Sequence, residues 1–318
     1  MTTAPQLSRT QIRAFAPATV ANVGSGFDVF GFALHQPGDE VFLKITPRPG
    51  VTITRITGDE GKLPVDPTKN TAGVSLLAML DKLNADFGIE MELHKKMAIG
   101  SGLGSSAASS VAGVFGLNAM LRHPMTKDEL LPFAIAGEKI TSGESVHLDN
   151  IAACLYGGFI LVRSRQPIDI VSIPAPRQLV CAVLHPQIEI RTELSRKMLL
   201  QHVPLQKAVT QWGNVAGTVC ALFNGDFELL KRSFEDVVVT PDRAILIPRY
   251  DAVRDAALAA GAIGCSISGS GPSIFALSDS LAGAESVGQA MKRSLSDLNI
   301  QLDLYISEIN REGPKILE

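Results

Sequence analysis

Residues 100–108 read Gly-Ser-Gly-Leu-Gly-Ser-Ser-Ala-Ala and run directly into an Ala/Ser-rich helical stretch that ends near Arg122. No other passage restricts the fold of this chain so strongly. Gly100, Gly102 and Gly104 lack a Cβ, so the backbone there can take positive φ values and approach a ligand closely. The helix that follows presents N–H groups with no intrahelical partner, at the positive end of its dipole. Loop and first turn together (Ser101, Leu103, Ser105, Ser106 and Ala107 besides the glycines) have the makings of a phosphate cradle. Ser105 and Ser106 add hydroxyls where a phosphate or its Mg²⁺ lies. Read alone, the same residues make a glycine-rich turn that starts a helix.

The loop matches neither familiar nucleotide fingerprint. No Gly-Lys-Ser/Thr follows it, which excludes a Walker A loop. Its glycines fall one residue short of G-x-G-x-x-G, and no clear acidic residue follows about 20 positions on. The preceding segment, Ile89–Lys95, alternates apolar and polar residues as a half-buried antiparallel strand does, whereas a Rossmann strand is more uniformly apolar. This is a phosphate loop of another kind.

With 318 residues, the chain has room for two domains or one large one. Hydrophobic residues make up 46% and charged residues 19%, enough for a packed core. A net charge of −3 and a pI near 6.1 argue against nucleic acid as the main partner. No apolar run reaches the ~18 residues that span a membrane. The first ten residues lack the apolar core of a signal peptide. Cys154, Cys181, Cys220 and Cys265 lie scattered in apolar stretches, which predicts buried free thiols in a reducing compartment. The expectation is a soluble, cytoplasmic protein.

Alternation predicts strands at 40–46, 51–56 and 89–95. Asn70 suits the N-cap of a helix over 71–84. The helix after the glycine loop stops near Arg122, since His123-Pro124 disfavours continuation, and Thr126 with Glu129 forms a capping box for the next. Strands are expected at 158–162, 179–184, 263–268 and 273–277, and helices at about 205–223, 251–260 and 282–295. A soft boundary falls in 163–177, where three prolines interrupt the periodicity. The mixture suggests α+β with antiparallel sheets in both halves.

Three further segments carry polar residues in apolar surroundings. In Pro17–Leu34, Asn22, Gly24, Gly26 and Asp28 interrupt the run, as they also do in an ordinary β-turn. Gly137–Ala153 packs Glu138, Glu144, His147, Asp149 and Asn150 ahead of an apolar stretch. Its carboxylates suit Mg²⁺, and Asp149-Asn150 equally suit a helix cap. Ser268-Gly-Ser-Gly271 makes a second backbone-rich loop, or a hairpin turn.

In their order along the chain, these segments resemble the GHMP kinase superfamily, small-molecule kinases named for galactose, homoserine, mevalonate and phosphomevalonate. Pro17–Phe27 is similar to the family's N-terminal motif, and Gly102–Ala108 matches the central loop Pro-x-x-x-Gly-Leu-Gly-Ser-Ser-Ala-Ala. Ser268–Pro272 is similar to the C-terminal loop. Ala98 stands where the central motif usually has proline. The resemblance implies the α+β GHMP kinase fold, with a ribosomal-protein-S5-like N-terminal domain (1–170) and a ferredoxin-like α+β C-terminal domain (171–318). In detail it favours the branch that phosphorylates homoserine, through Pro17–Asp28, His147-x-Asp149-Asn150, Thr192-x-x-x-Arg196 and Pro241–Pro248 with Arg243.

The roles that follow are implied by that resemblance. Asn22, Asp28, His147, Asn150, Thr192, Arg196 and Arg243 bind the acceptor. Asn70 sits near adenine, and Gly269 joins the glycine loop in holding ATP. Ser105 and Glu138 hold Mg²⁺, with Glu144 as a rival ligand. Asn150 aims the acceptor hydroxyl, and Asp149 either takes its proton or leaves it to the phosphate. ATP and L-homoserine are the expected substrates, the product feeds threonine biosynthesis, and a homodimer is expected. A mevalonate- or shikimate-type kinase, a diphosphomevalonate decarboxylase and a non-enzymatic sensor are the alternatives. The chemistry agrees independently: a zwitterion needs arginine forks for its carboxylate and an acid such as Asp28 for its ammonium.

Overall fold

The computed structural model describes residues 5–143, 145–190, 192–200 and 202–317, without the side chains of 192–194. Strands β1 (Gln11–Val23) and β2 (Gly26–Thr46) form a long hairpin, followed by β3 (Gly50–Thr57). Then come α1 (Thr71–Leu83), β4 (Gly88–His94), α2 (Ser105–Met120), α3 (Lys127–Ser142) and α4 (Leu148–Tyr156). Strands β5 (Phe159–Arg165) and β6 (Ile168–Ile173) close the first half. The second begins with β7 (Val180–Pro186), α5 (Thr192–Lys197), α6 (Leu205–Asn224), α7 (Phe227–Ser233) and α8 (Thr240–Arg243). It ends with α9 (Tyr250–Ala259), β8 (Gly264–Ile267), β9 (Ile274–Ser278), α10 (Leu281–Arg293), β10 (Leu302–Glu308) and β11 (Lys315–Ile316).

Two sheets result. The first runs β11-β1-β2-β4-β3, with β5 beside the early part of β2 and β6 beside β5. The second runs β10-β7-β9-β8, which in chain order is the 4-1-3-2 antiparallel arrangement of a ferredoxin-like βαββαβ unit. One expectation is corrected: the first sheet is not wholly antiparallel, because β4 pairs antiparallel with β2 and parallel with β3. Pro17 has no N–H to give to the ladder, and the β1–β2 register shifts between Pro17 and Thr19. Just past that shift the Thr19 N–H bonds the Leu103 carbonyl at 3.0 Å. The glycine loop is thereby fastened to the edge of β1.

Helix α2 is buried almost all round, which explains its small residues. A Cβ on Gly116 would lie 2.9 Å from Leu43 of β2. Asn70 caps α1 and Thr126 with Glu129 forms the capping box of α3, both as the sequence predicts. The apolar core does not stop at the proline-rich boundary. Phe32 of β2 meets Phe275 of β9 edge-on at 6.0 Å, and one buried cluster joins both sheets. All four cysteines are free, but Cys220 is exposed on α6, contrary to the expectation of burial. Among the described residues, no helix is long and apolar enough to cross a membrane.

Candidate active site

The glycine loop and the β8–β9 hairpin loop face each other across one end of a cavity of about 370 Å³. Gly102 and Gly104 both have positive φ, 78° and 67°. A Cβ on Gly102 would lie 2.4 Å from the Ser268 carbonyl, and one on Gly104 only 2.1 Å from Thr19 Oγ1. Both positions therefore require glycine for conformation and for space. Ser268 Oγ donates to the Gly102 carbonyl at 2.7 Å, and the Ser273 N–H to that of Ser101 at 3.2 Å. Helix α2 starts at Ser105, and its first hydrogen bond runs from the Ala108 N–H to the Gly104 carbonyl. The N–H groups of Ser105, Ser106 and Ala107 thus have no helical partner, and the serines line the cavity.

A buried ion pair that sequence reasoning misses lies beneath this turn. Lys95 Nζ meets the Asp39 carboxylate and donates to the Ser105 carbonyl (2.8 Å) and Ser109 Oγ (2.7 Å). Its three protons are all used, which offsets the cost of burying the pair. Its only sequence signal is a Lys-Lys step that ends an alternating strand just before the glycines.

In the same cavity, Asn22 and Asp28 both adopt left-handed backbone at φ 58°, a conformation that short polar side chains tolerate. Asn22 Oδ1 accepts from the Asp28 N–H, and its Nδ2 donates to the Gly269 carbonyl, both at 2.8 Å. Arg243 is buried, lies 4.9 Å over the Phe27 ring, and donates to the same carbonyl at 3.0 Å. Burial lowers its pKa, while Asp28 pulls the other way. The Asp28 carboxylate meets Arg196 at 3.3 Å and Arg165 of β5 at 3.4 Å. Arg165, also absent from the sequence reading, donates to the Val146 carbonyl at 2.7 Å and so ties Asp28 to the turn before His147. The buried Nε atoms of Arg196 and Arg243 carry no hydrogen bond, a donor set that a carboxylate satisfies.

Glu138, near the end of α3, is buried and accepts from or shares a proton with His147 Nδ1 at 2.9 Å. Its second oxygen and Ser105 Oγ are buried without a hydrogen-bond partner. One carboxylate and one hydroxyl suit Mg²⁺, which takes few protein ligands and fills the rest with water and phosphate oxygens. No cluster of three or more His, Cys, Asp or Glu that could hold a metal occurs among the described residues. Asn150 Oδ1 accepts from Thr19 Oγ1 at 2.8 Å, and its side chain lines the cavity against Gly104.

Not every residue singled out in the sequence lines this cavity. Asn70 spends its amide on the N-cap of α1 and on the Pro64 carbonyl, while its neighbour Thr71 lines the wall. Leu103 and Ala107 turn their side chains into the core, which leaves them only backbone groups to offer. Asp149, one position before Asn150 on α4, is buried and does not line the cavity wall, though it lies within electrostatic reach of Asp28, His147 and Arg243. The Thr192 side chain and Glu144 lie outside the described residues.

Desolvation, with Asp28 nearby, pushes the Asp149 carboxyl up to about 6. The folded chain therefore holds this proton longer than the unfolded one, so stability falls as pH rises from about 4 to 6 and stays lower above that. Replacing Asp149 by Asn is expected to stabilise the protein by up to ~3 kcal/mol at pH 7.5 and by little at pH 4. Denaturant titrations of both proteins at the two pH values check this.

Residues 70–158 match the N-terminal domain of GHMP kinases, and residues 219–297 match the C-terminal domain. A homoserine kinase of Chloroherpeton thalassium is 46% identical over 96% of this chain and 99% of its own length. A crystal structure of homoserine kinase from Cytophaga hutchinsonii superposes with a TM-score of 0.96 at 52% identity, covering 98% of this chain and 99% of that one. The chain belongs to the homoserine kinase branch of the GHMP kinases. An L. major mevalonate kinase shares the fold at a TM-score of 0.70 and 19% identity over 97% of this chain and 99% of that one.

Proposed function

We propose that this enzyme transfers the γ-phosphoryl group of ATP to the side-chain hydroxyl of L-homoserine, giving ADP and O-phospho-L-homoserine. The observation that carries the reading is a single cavity that brings two chemistries together. The first turn of α2 supplies free N–H groups and serines, and Asp28, Arg196 and Arg243 supply charged side chains.

The α2 N-terminus and glycine-loop amides cradle the triphosphate. Arg243 and Arg196 take the acceptor carboxylate, and Asp28 takes its ammonium. Asn150, fixed by Thr19, offers its amide to the acceptor hydroxyl. The hydroxyl oxygen attacks Pγ as the bond to the β–γ bridging oxygen breaks, in line and through a loose transition state. When bound at Ser105 and Glu138, Mg²⁺ offsets charge on the phosphate oxygens. Asp149 is absent from the cavity wall, which supports transfer of the hydroxyl proton to the phosphate without a dedicated base.

We place the domain division near residue 170. The first sheet's β6 ends at Ile173 and the second sheet's β7 begins at Val180, although β11 returns to β1. The homodimer is part of the same proposal.

A coupled ADP-release assay tests the activity, with Mg-ATP and L-homoserine, mevalonate, shikimate or galactose. Turnover with homoserine alone is expected. Turnover with mevalonate or shikimate instead would keep the nucleotide end and discard the acceptor pocket.

A further inference from the structure

We infer that the outward face of α6 is the surface on which a second copy of this chain docks, and that docking steadies the acceptor loop. Leu205, Val209, Trp212, Ala216, Val219 and Phe223 follow one another at intervals of four and three residues, the a/d pattern of a coiled-coil seam, of which Val219 also packs against the core. The seam runs for about 27 Å. A surface helix ordinarily turns such a stripe inward. Here Leu205, Trp212 and Phe223 are 71%, 61% and 58% exposed, and no charged residue interrupts the stripe.

The occupant follows from size and pattern. With Leu200, Val203 and Val209, these three side chains expose on the order of 600 Å², most of the ~800 Å² each partner gives to a standard interface. The small residues Gly213, Ala216 and Cys220 are exposed beside Trp212. Antiparallel packing about a two-fold axis at Ala216 sets Trp212 of one copy against the small Cys220 of the other, and Val209 against Phe223, as an isologous dimer requires. Beside the seam, an apolar groove of about 510 Å³ between Trp212, Val203, Phe27 and Val239 gives the partner's end residues a place to enter.

The inner face of α6 carries the consequence. Gln211 Nε2 donates to the Ser25 carbonyl (2.7 Å) and to Asp236 (2.9 Å), and its Oε1 accepts from the Val237 N–H (3.0 Å). Ser25 leads to Asp28, while Asp236 caps the turn that opens α8 and Arg243. One helix thus holds both loops of the acceptor pocket. The inference rests on the proposed homodimer only for its occupant.

Light scattering after size exclusion tests it. The full chain is expected at about twice 33.8 kDa, and Trp212→Glu at the monomer mass with an unchanged circular dichroism spectrum. Its homoserine KM is expected to rise several-fold at unaltered ATP KM. In a Cys220→Ser background, Ala216→Cys is expected to cross-link into a covalent dimer under mild oxidation. A monomeric wild type overturns both dimer and surface, and one that pellets with phosphatidylglycerol vesicles assigns the face to a membrane. A dimeric Trp212→Glu without Ala216→Cys cross-linking overturns the surface alone. A monomeric variant with wild-type homoserine KM overturns the link to the pocket.

Discussion

Gly104→Ala is expected to lower kcat by about 10²-fold or more, the effect of displacing reacting groups by an ångström. The new methyl meets Thr19 Oγ1 at 2.1 Å and Asn150 Oδ1 at 2.7 Å, so it breaks the Thr19 hydrogen bond that orients Asn150. It also places a side chain at φ 67°, where an L-residue loses ~1–2 kcal/mol. Gly61→Ala separates the two effects. Gly61 has the same hand of backbone, φ 72°, and nothing within 4 Å of its Cβ position. That variant is expected to lose ~1–2 kcal/mol of stability and keep its activity. Steady-state kinetics and thermal melts on both proteins check the pair.

Arg243→Met is expected to raise the homoserine KM by on the order of 10²-fold while leaving the ATP KM within a few-fold. Methionine keeps the packing on Phe27 and removes the fork that holds the Gly269 carbonyl and, on our reading, the acceptor carboxylate. Arg243→Lys is expected to recover little, because an ammonium cannot match the fork's two donors at that position. Kinetics with each substrate varied in turn separate the two constants. Equal losses in both would show that Arg243 supports the hairpin loop as a whole.

The parts of this fold that are legible in the sequence are those made by contiguous backbone. The glycine loop, the N-cap at Asn70 and the box at Thr126 each need only a few neighbouring residues, and each stands where the pattern predicts. Lys95 and Asp39 lie 56 residues apart in sequence and carry no local pattern that predicts their meeting. Arg165 reads as one of several arginines in a proline-rich stretch until β5 brings it against Asp28. Nor can the sequence say which of Asp149 and Asn150 faces the cavity. The fold decides it, by setting Asn150 against Thr19 and Gly104.

Strand β1 hides for a related reason. It is covered on both faces, so Gln11–Val23 shows a near-continuous run of small apolar residues instead of alternation. Strand β10 does alternate at its start, Leu-Asp-Leu-Tyr, and the sequence reading passes over that signal.

The central claim is that the acceptor end is built for a zwitterion. Its most direct test is the kcat/KM of L-homoserine against 4-hydroxybutanoate, which lacks the ammonium, and 4-amino-1-butanol, which lacks the carboxylate. The account predicts that each analogue falls by on the order of 10³-fold or more, because each loses a charged contact, the one to the half-buried Asp28 or the one to the buried Arg243. It also predicts that Asp28→Asn narrows the gap for 4-hydroxybutanoate. Analogues used as well as homoserine would contradict it.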